Sequence, residues 1–261
     1  MTQKLPLTII ILTHRNDELF MQCLSSAHFA DEILISDNNS GNDWTKIKAQ
    51  RSKLKDLNLK IISHPKEIKN FSELRNELMK QAKNDWVFFL DSDEIIPEGS
   101  EAQVAKILKS KYLDACYIKR IDYFHGKPMR WGELRNVWKL RLGKKTELKF
   151  LRAIHEIGES SGNMCHSKII LRHYSHDSST DFLKKIIYYA RLEAVEERAG
   201  TSAWQAIIEF LFFPPTKFIV NFIFKLGFLD GWRGLIYAVM MSLHSATVRL
   251  LIYEQKISKK N

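Results

Sequence analysis

An apolar run, Asp85-Trp-Val-Phe-Phe-Leu90, stops abruptly in Asp91-Ser92-Asp93-Glu94. A short apolar segment bounded by a turn reads as a buried strand. Carboxylates two residues apart just past its end can reach one hard cation. Mg2+ or Mn2+ prefers such oxygen ligands and fills its other positions with phosphate oxygens and water. The plainer alternative is that these acids cap a following helix. The same grammar recurs upstream. Residues 7–12, 32–36 and 59–63 read as strands, the second ending at Asp37. Leu19, Phe20, Cys23 and Leu24 fall at helical spacing within 16–28, and 44–54 and 71–83 read as two further helices. Strands alternating with helices imply a parallel sheet covered on both faces, with ligands beyond the carboxyl ends of the strands. Those ends present Thr13, Asp37 and Asp91. There Asp37 can accept from a ribose hydroxyl or a base N–H. Arg75, on the helix before the acidic strand tip, is either a surface charge or a fork donor to base or diphosphate.

Past residue 112 the pattern turns aromatic and alternating, predicting strands over 115–123, 135–142 and 168–173 and a mixed sheet extension. A charged helix is expected over 181–198. Residues 203–253 are apolar and aromatic, but Glu209, Pro214, Pro215, Lys217, Lys225, Asp230 and Arg233 interrupt them, so no run reaches spanning length. Two readings stay open: helices packed on the core, or amphipathic helices in a membrane interface with Lys217, Lys225 and Arg233 toward headgroups. The chain divides on this pattern into an α/β half (1–110), a mixed-sheet half (111–180) and a helical extension (181–261).

Composition narrows the setting. The cysteines Cys23, Cys116 and Cys165 are odd in number and lack a CxxC pair, so no disulfide framework and a reducing compartment are expected. The apolar run at 7–12 is too brief for a signal peptide, which points to a cytoplasmic address. Of the net charge of +10, nine units fall between Lys109 and Arg152. Such a stretch is a solvated face or a surface for phosphorylated sugars, anionic headgroups or nucleic acid. Tyr117, Tyr123, Phe124, Trp131 and Trp138 interleave with it. No nucleic-acid motif accompanies them and the acidic strand tip would go unexplained, so no nucleic-acid partner is expected. Cys165, His166, His173 and His176 lack zinc-finger spacing.

Taken in order, Thr13-His-Arg-Asn16, Asp37-Asn-Asn-Ser40, Phe71 with Arg75-Asn76, Asp91-Ser-Asp-Glu94, Phe124-His-Gly-Lys127, Arg141, Ala153-Ile-His-Glu156, His173-Tyr-Ser-His176 and Gly227-Phe-Leu-Asp-Gly-Trp232 form an ordered set. This set resembles family 2 inverting glycosyltransferases, and within them the lipopolysaccharide core β-1,4-glucosyltransferases. The resemblance implies an α/β GT-A (Rossmann-like) mixed sheet with helices on both faces and a C-terminal helical extension, in which 1–110 would bind the nucleotide sugar and 111–180 would serve the acceptor and catalysis. It implies transfer of a hexose, glucose from UDP-glucose, onto a lipopolysaccharide inner-core acceptor. Capsule, lipid-linked or peptide acceptors are the alternative. Thr13, Arg15, Asp37, Asn39, Arg75, Asp91 and Ser92 would bind the donor, Asp93 and His173 would hold Mg2+ or Mn2+, and Glu156 would be the base. The partners expected are a UDP-sugar, a lipid-anchored glycan and an anionic membrane surface. The enzyme would be peripherally associated with the inner membrane.

Overall fold

The structure is a computed structural model. It describes residues 4–258 except 39, 46–56, 65–67, 69, 153–155, 177 and 198–199. The chain forms two compact units. The first comprises 1–120 and 137–173, the second 121–136 and 174–261.

In the first unit β1 (Leu5–Thr13) lies between β2 (Ala30–Asp37) and β4 (Trp86–Asp91), parallel to both, and β3 (Leu59–Ser63) runs parallel beside β2. β5 is Glu94–Ile95, β6 Ala115–Phe124, β7 Lys127–Pro128, β8 Val137–Lys144 and β11 Met164–His176; the sheet order is β3-β2-β1-β4-β8-β6-β11-β5, with β7 paired to β6. β8 pairs antiparallel with both β4 and β6. The parallel half is Val/Ile/Phe-rich because it is buried on both sides. Ile9 and Ile11 enter one apolar cluster with Phe20 and Leu24 of α1 (Glu18–Ser26) and Val104 of α2 (Ser100–Leu108). Ile10, pointing the other way, joins Leu74, Leu78 and Met79 of α3, the helix Phe71–Gln81. Helices thus cover both faces, as the GT-A expectation requires. The helix starts are chemically set: Asp17 accepts from the Phe20 N–H at 3.0 Å, and Asn70 from the Glu73 N–H at 3.1 Å. The helix expected over 44–54 falls mostly outside the described residues. The acids at 91–94 do not cap the next helix, since α2 begins at Ser100 without a side-chain cap.

One expectation is overturned. Cys116 and Cys165 are joined by a disulfide between neighbouring strands β6 and β11, with Cα atoms 4.5 Å apart. Their separation of 49 positions in sequence carries no local signal of this pairing. The reading of three unpaired thiols is corrected, and the cysteines no longer argue for a reducing compartment. Cys165 is also thereby removed from any zinc set with His166 and His173.

In the second unit, α4 (Ser179–Glu197), α5 (Ala203–Ile219) and α6 (Trp232–Ile257) pack through two small clusters, around Phe182 and Tyr237 and around Ala194, Ala206 and Val248. α5 runs through Pro214 and Pro215 and ends in a π-helical turn, Val220–Phe224. The two charges that interrupt its apolar sequence are paired within the unit. Glu209 meets the Arg249 guanidinium at 2.8 Å and Lys217 meets Glu133 at 2.7 Å. The Gly227–Trp232 motif has a packing reason. A Cβ on Gly234 would lie 1.9 Å from the Gly227 carbonyl oxygen, so the chain there can pass only as glycine. Asp230 accepts from the Arg130 and Trp131 N–H groups, tying the 125–136 segment to this turn.

Candidate active site

Register across the parallel strands brings the expected rim together. Thr13 pairs with Asp37 and Leu12 with Asp91, so three strand ends stand side by side, each about 4.8 Å from the next. Asp37 is buried and organises the loop after it. One oxygen accepts from the Ser40 N–H at 2.9 Å and the other from Trp44 Nε1 at 2.8 Å. A carboxylate has about four acceptor positions, so capacity remains for a ligand. Thr13 Oγ1 accepts from the Arg15 N–H at 3.0 Å. The Arg15 side chain turns to Asp17, the cap of α1. Asn39 lies outside the described residues, and Ser92 is buried in the turn between β4 and β5.

Beside the rim lies a buried network of ions. Arg75 projects from α3 between the rings of Phe89 and Phe150, 5.2 and 5.5 Å from their centroids. Its Nη2 donates to Asp91 Oδ1 at 2.7 Å, and its Nε and Nη2 to Glu156 Oε1 at 3.0 and 2.8 Å. Asn76, the next residue, clasps both backbone groups of Phe150 in β9 (Leu148–Leu151) at 2.9 Å. β9 pairs with β10 (Ile157–Ser160), and Glu156 immediately precedes β10. One helical dipeptide thereby fixes the hairpin and grips the carboxylate beside it.

A second arginine reaches the site through an irregularity. Cys116 pairs with Leu142 but Tyr117 with Leu140, so Arg141 is an extra, unpaired residue in β8. Such bulges bend a strand and re-aim a side chain. Arg141 Nη2 bonds Asp91 Oδ2 and lies 3.2 Å from Glu94 Oε1, and Glu94 is fully buried. The other Glu94 oxygen accepts from the Asp91 N–H at 3.0 Å, closing the acidic turn on itself. Burial pushes the Asp91 carboxyl pKa up, but Arg141 and Arg75 together hold it well below the ordinary carboxylate value. Glu156 behaves alike: burial raises it, Arg75 and Arg141 pull it down, and the net shift is downward. Both groups are carboxylates at neutral pH.

Asp93 points elsewhere. Its Oδ1 lies 3.4 Å from His173 Nε2, because β11 pairs His173 with Glu94 of β5. Among the described residues no group of three or more metal-ligating side chains occurs. One carboxylate and one imidazole are too few for a structural metal. They suit a cation whose other positions belong to substrate phosphate and water.

The sequence pattern of the family described as Glycosyl transferase family 2 matches residues 8–180, the segment that contributes every group named in this site. The chain belongs to glycosyl transferase family 2. A relative, the SPbeta prophage-derived glycosyltransferase SunS of Bacillus subtilis (strain 168), is 25% identical over 154 residues. That alignment covers 58% of this chain and 34% of SunS. The chain thus spans about a third of the length of the curated relatives it matches. Among solved structures, S. aureus TarS 1–349 in complex with UDP-GlcNAc aligns with a TM-score of 0.48 at 15% identity, covering 97% of this chain and 92% of that one. A mannosyltransferase, PcManGT from Pyrobaculum calidifontis with GDP-Man and Mn2+, aligns with a TM-score of 0.48 at 12% identity, covering 98% and 76%.

In this family 2 glycosyltransferase the expected residues fall into three groups. Thr13 and Asp37 line the strand tips; Arg75, Asp91 and Glu156 form one ion-paired cluster; Asp93 and His173 face each other to one side. Arg141 and Glu94 complete the cluster and were not among the candidates. The signal for Arg141 was a lone charge in the apolar triplet Leu140-Arg-Leu142.

Proposed function

We propose that the enzyme transfers a hexose, glucose from UDP-glucose, with inversion onto a lipopolysaccharide inner-core acceptor at the cytoplasmic face of the inner membrane. The observation that carries this reading is the single cluster in which Glu156 and Asp91 share Arg75 at the tip of β4, next to Asp93. Thr13, Arg15, Asp37 and Asn39 would hold the nucleoside, with Asp91 and Ser92 at the ribose and diphosphate. Asp93 and His173 would hold Mg2+ or Mn2+, which offsets the negative charge on the leaving diphosphate. Glu156, ionised and beside the cationic cluster, would take the proton of the acceptor hydroxyl as it attacks in line. One displacement without a covalent intermediate inverts the anomeric centre. A lipid-anchored, phosphate-bearing glycan would reach the site from an anionic membrane surface.

The reading is tested by the purified chain with a panel of nucleotide sugars and Mn2+ or Mg2+. UDP-glucose hydrolysis should exceed that of the other donors and vanish with chelator. Equal or no turnover across the panel would sink the donor assignment. For the cation, His173→Ala should weaken the apparent Mn2+ affinity by about 10- to 100-fold in an activity titration. An unchanged midpoint would remove His173 from the metal.

A further inference from the structure

The helices after β11 expose far more apolar surface than a water-soluble face accommodates. Along the run Ala203–Phe224, Trp204, Ile208, Leu211, Phe212, Ile223 and Phe224 are between 51 and 77% exposed. On α6, Leu235, Val239, Leu243 and Leu250 are 42–49% exposed at intervals of four, four and seven residues. That spacing draws one stripe down a helix. The opposite side of α6, with Tyr237, Ala238, Val248 and Ile252, is buried.

The charges follow a matching order. Glu209 and Arg249 neutralise one another between α5 and α6, the Arg249 guanidinium lying 4.9 Å from the Phe213 ring centroid. His244 turns to Glu193 of α4 and Lys217 to Glu133. The stripe is therefore apolar along its length. At its turn end the cations are outside: Lys127, Arg130, Arg135 and Lys225 are all exposed, held together by the Gly132 N–H to Lys225 carbonyl bond and by Asp230. Trp204 and Trp232, 77 and 51% exposed, stand at the starts of α5 and α6. Tryptophan favours the level of lipid headgroups.

We infer that the outer face of the α5–α6 pair is a bilayer-contacting surface. It lies in the plane of one leaflet, with the stripe among acyl chains and the four turn-end cations against lipid phosphates. An in-plane pose fits better than a spanning one because α4, packed along α6, carries charges such as Lys184 and Asp181, 74 and 60% exposed. Lipid cannot surround such a bundle, whereas a one-sided stripe needs only one leaflet. Lys217, expected among the headgroup cations, is replaced there by residues of the 125–136 segment. This inference stands on the helical unit alone and would survive failure of the sugar-transfer reading.

Flotation of the full chain with phosphatidylcholine vesicles, with and without phosphatidylglycerol, tests it. Binding should occur to both, be stronger to the anionic vesicles, and persist at about 1 M salt, where charge attraction is screened. The double substitution Leu211→Glu with Phe212→Glu, at positions 61 and 64% exposed, should reduce partitioning about 100-fold. Helical circular dichroism and donor hydrolysis should stay unchanged. Binding abolished by salt, or unaffected by the double substitution, overturns the inference. So does a lipid-free dimer that the same substitutions split and that leaves vesicles unbound, for the face would then belong to a second copy.

Discussion

Replacing Glu156 with glutamine lowers turnover by about 10²- to 10⁴-fold, the contribution of a well-placed proton acceptor, while donor affinity stays within about twofold. The amide keeps the shape of the side chain and an oxygen that can still accept from Arg75, 2.8 Å away in the parent protein, but it cannot take up a proton. Calorimetry with UDP-glucose alongside acceptor-dependent turnover separates the two effects. Turnover within tenfold of the parent would end the assignment of Glu156 as base. The pH profile adds a second reading. Burial raises the Glu156 carboxyl, and Arg75 with Arg141 brings it below its ordinary 4.5. The acid limb of kcat/KM for the parent should therefore lie below about 4.5, the usual glutamate value. A limb above that value in kcat, which reports the substrate-bound enzyme, would mean that Arg75 releases Glu156 once substrate is bound.

Replacing Arg141 with methionine should cost about 3–5 kcal/mol of folding stability, the range for breaking a buried ion pair from one side. Asp91 and the fully buried Glu94 would lose the guanidinium that meets both. Methionine fills the volume, so a cavity is a minor part of the loss. The deficit should depend on pH with a definite sign. The Asp91 carboxyl is depressed in the folded protein from an ordinary 3.8. Its stabilisation is thus fully present above that value and lost as pH falls through the lower, folded one. Urea midpoints at neutral pH should differ widely between parent and variant and converge below about pH 3.8. Coinciding midpoints at neutral pH would show that the pair contributes nothing.

The parts legible in the sequence were those written in local periodicity. β1, β2, β3, β4 and α3 announce themselves by runs of β-branched or helically spaced apolar residues. The acidic tip of β4 follows from where its apolar run stops. What failed to show was contact across distance. Glu156 and Arg75 are 81 residues apart and meet only because Asn76 fastens β9. Cys116 and Cys165 are brought opposite each other by strand order. The basic stretch between Lys109 and Arg152 looked like a charged surface when counted along the chain. In space Arg141 faces Asp91 and Glu94, and Lys144 faces Asp114, so part of it is internal. Strand alternation misled as well. Leu140 and Leu142 should share a side, yet they enter different apolar clusters.

That last discrepancy makes chain length at one point as consequential as residue identity. Because successive side chains of a strand alternate, the supernumerary residue at 141 decides which way every earlier position of β8 points. Trimming one residue there would restore regular pairing with Lys139 still opposite Ile118, and the strand would lose the bend that the extra residue gives it. It would also withdraw the guanidinium that Asp91 relies on. No single substitution reproduces that error, so a shortened β8 is a lesion of a separate kind.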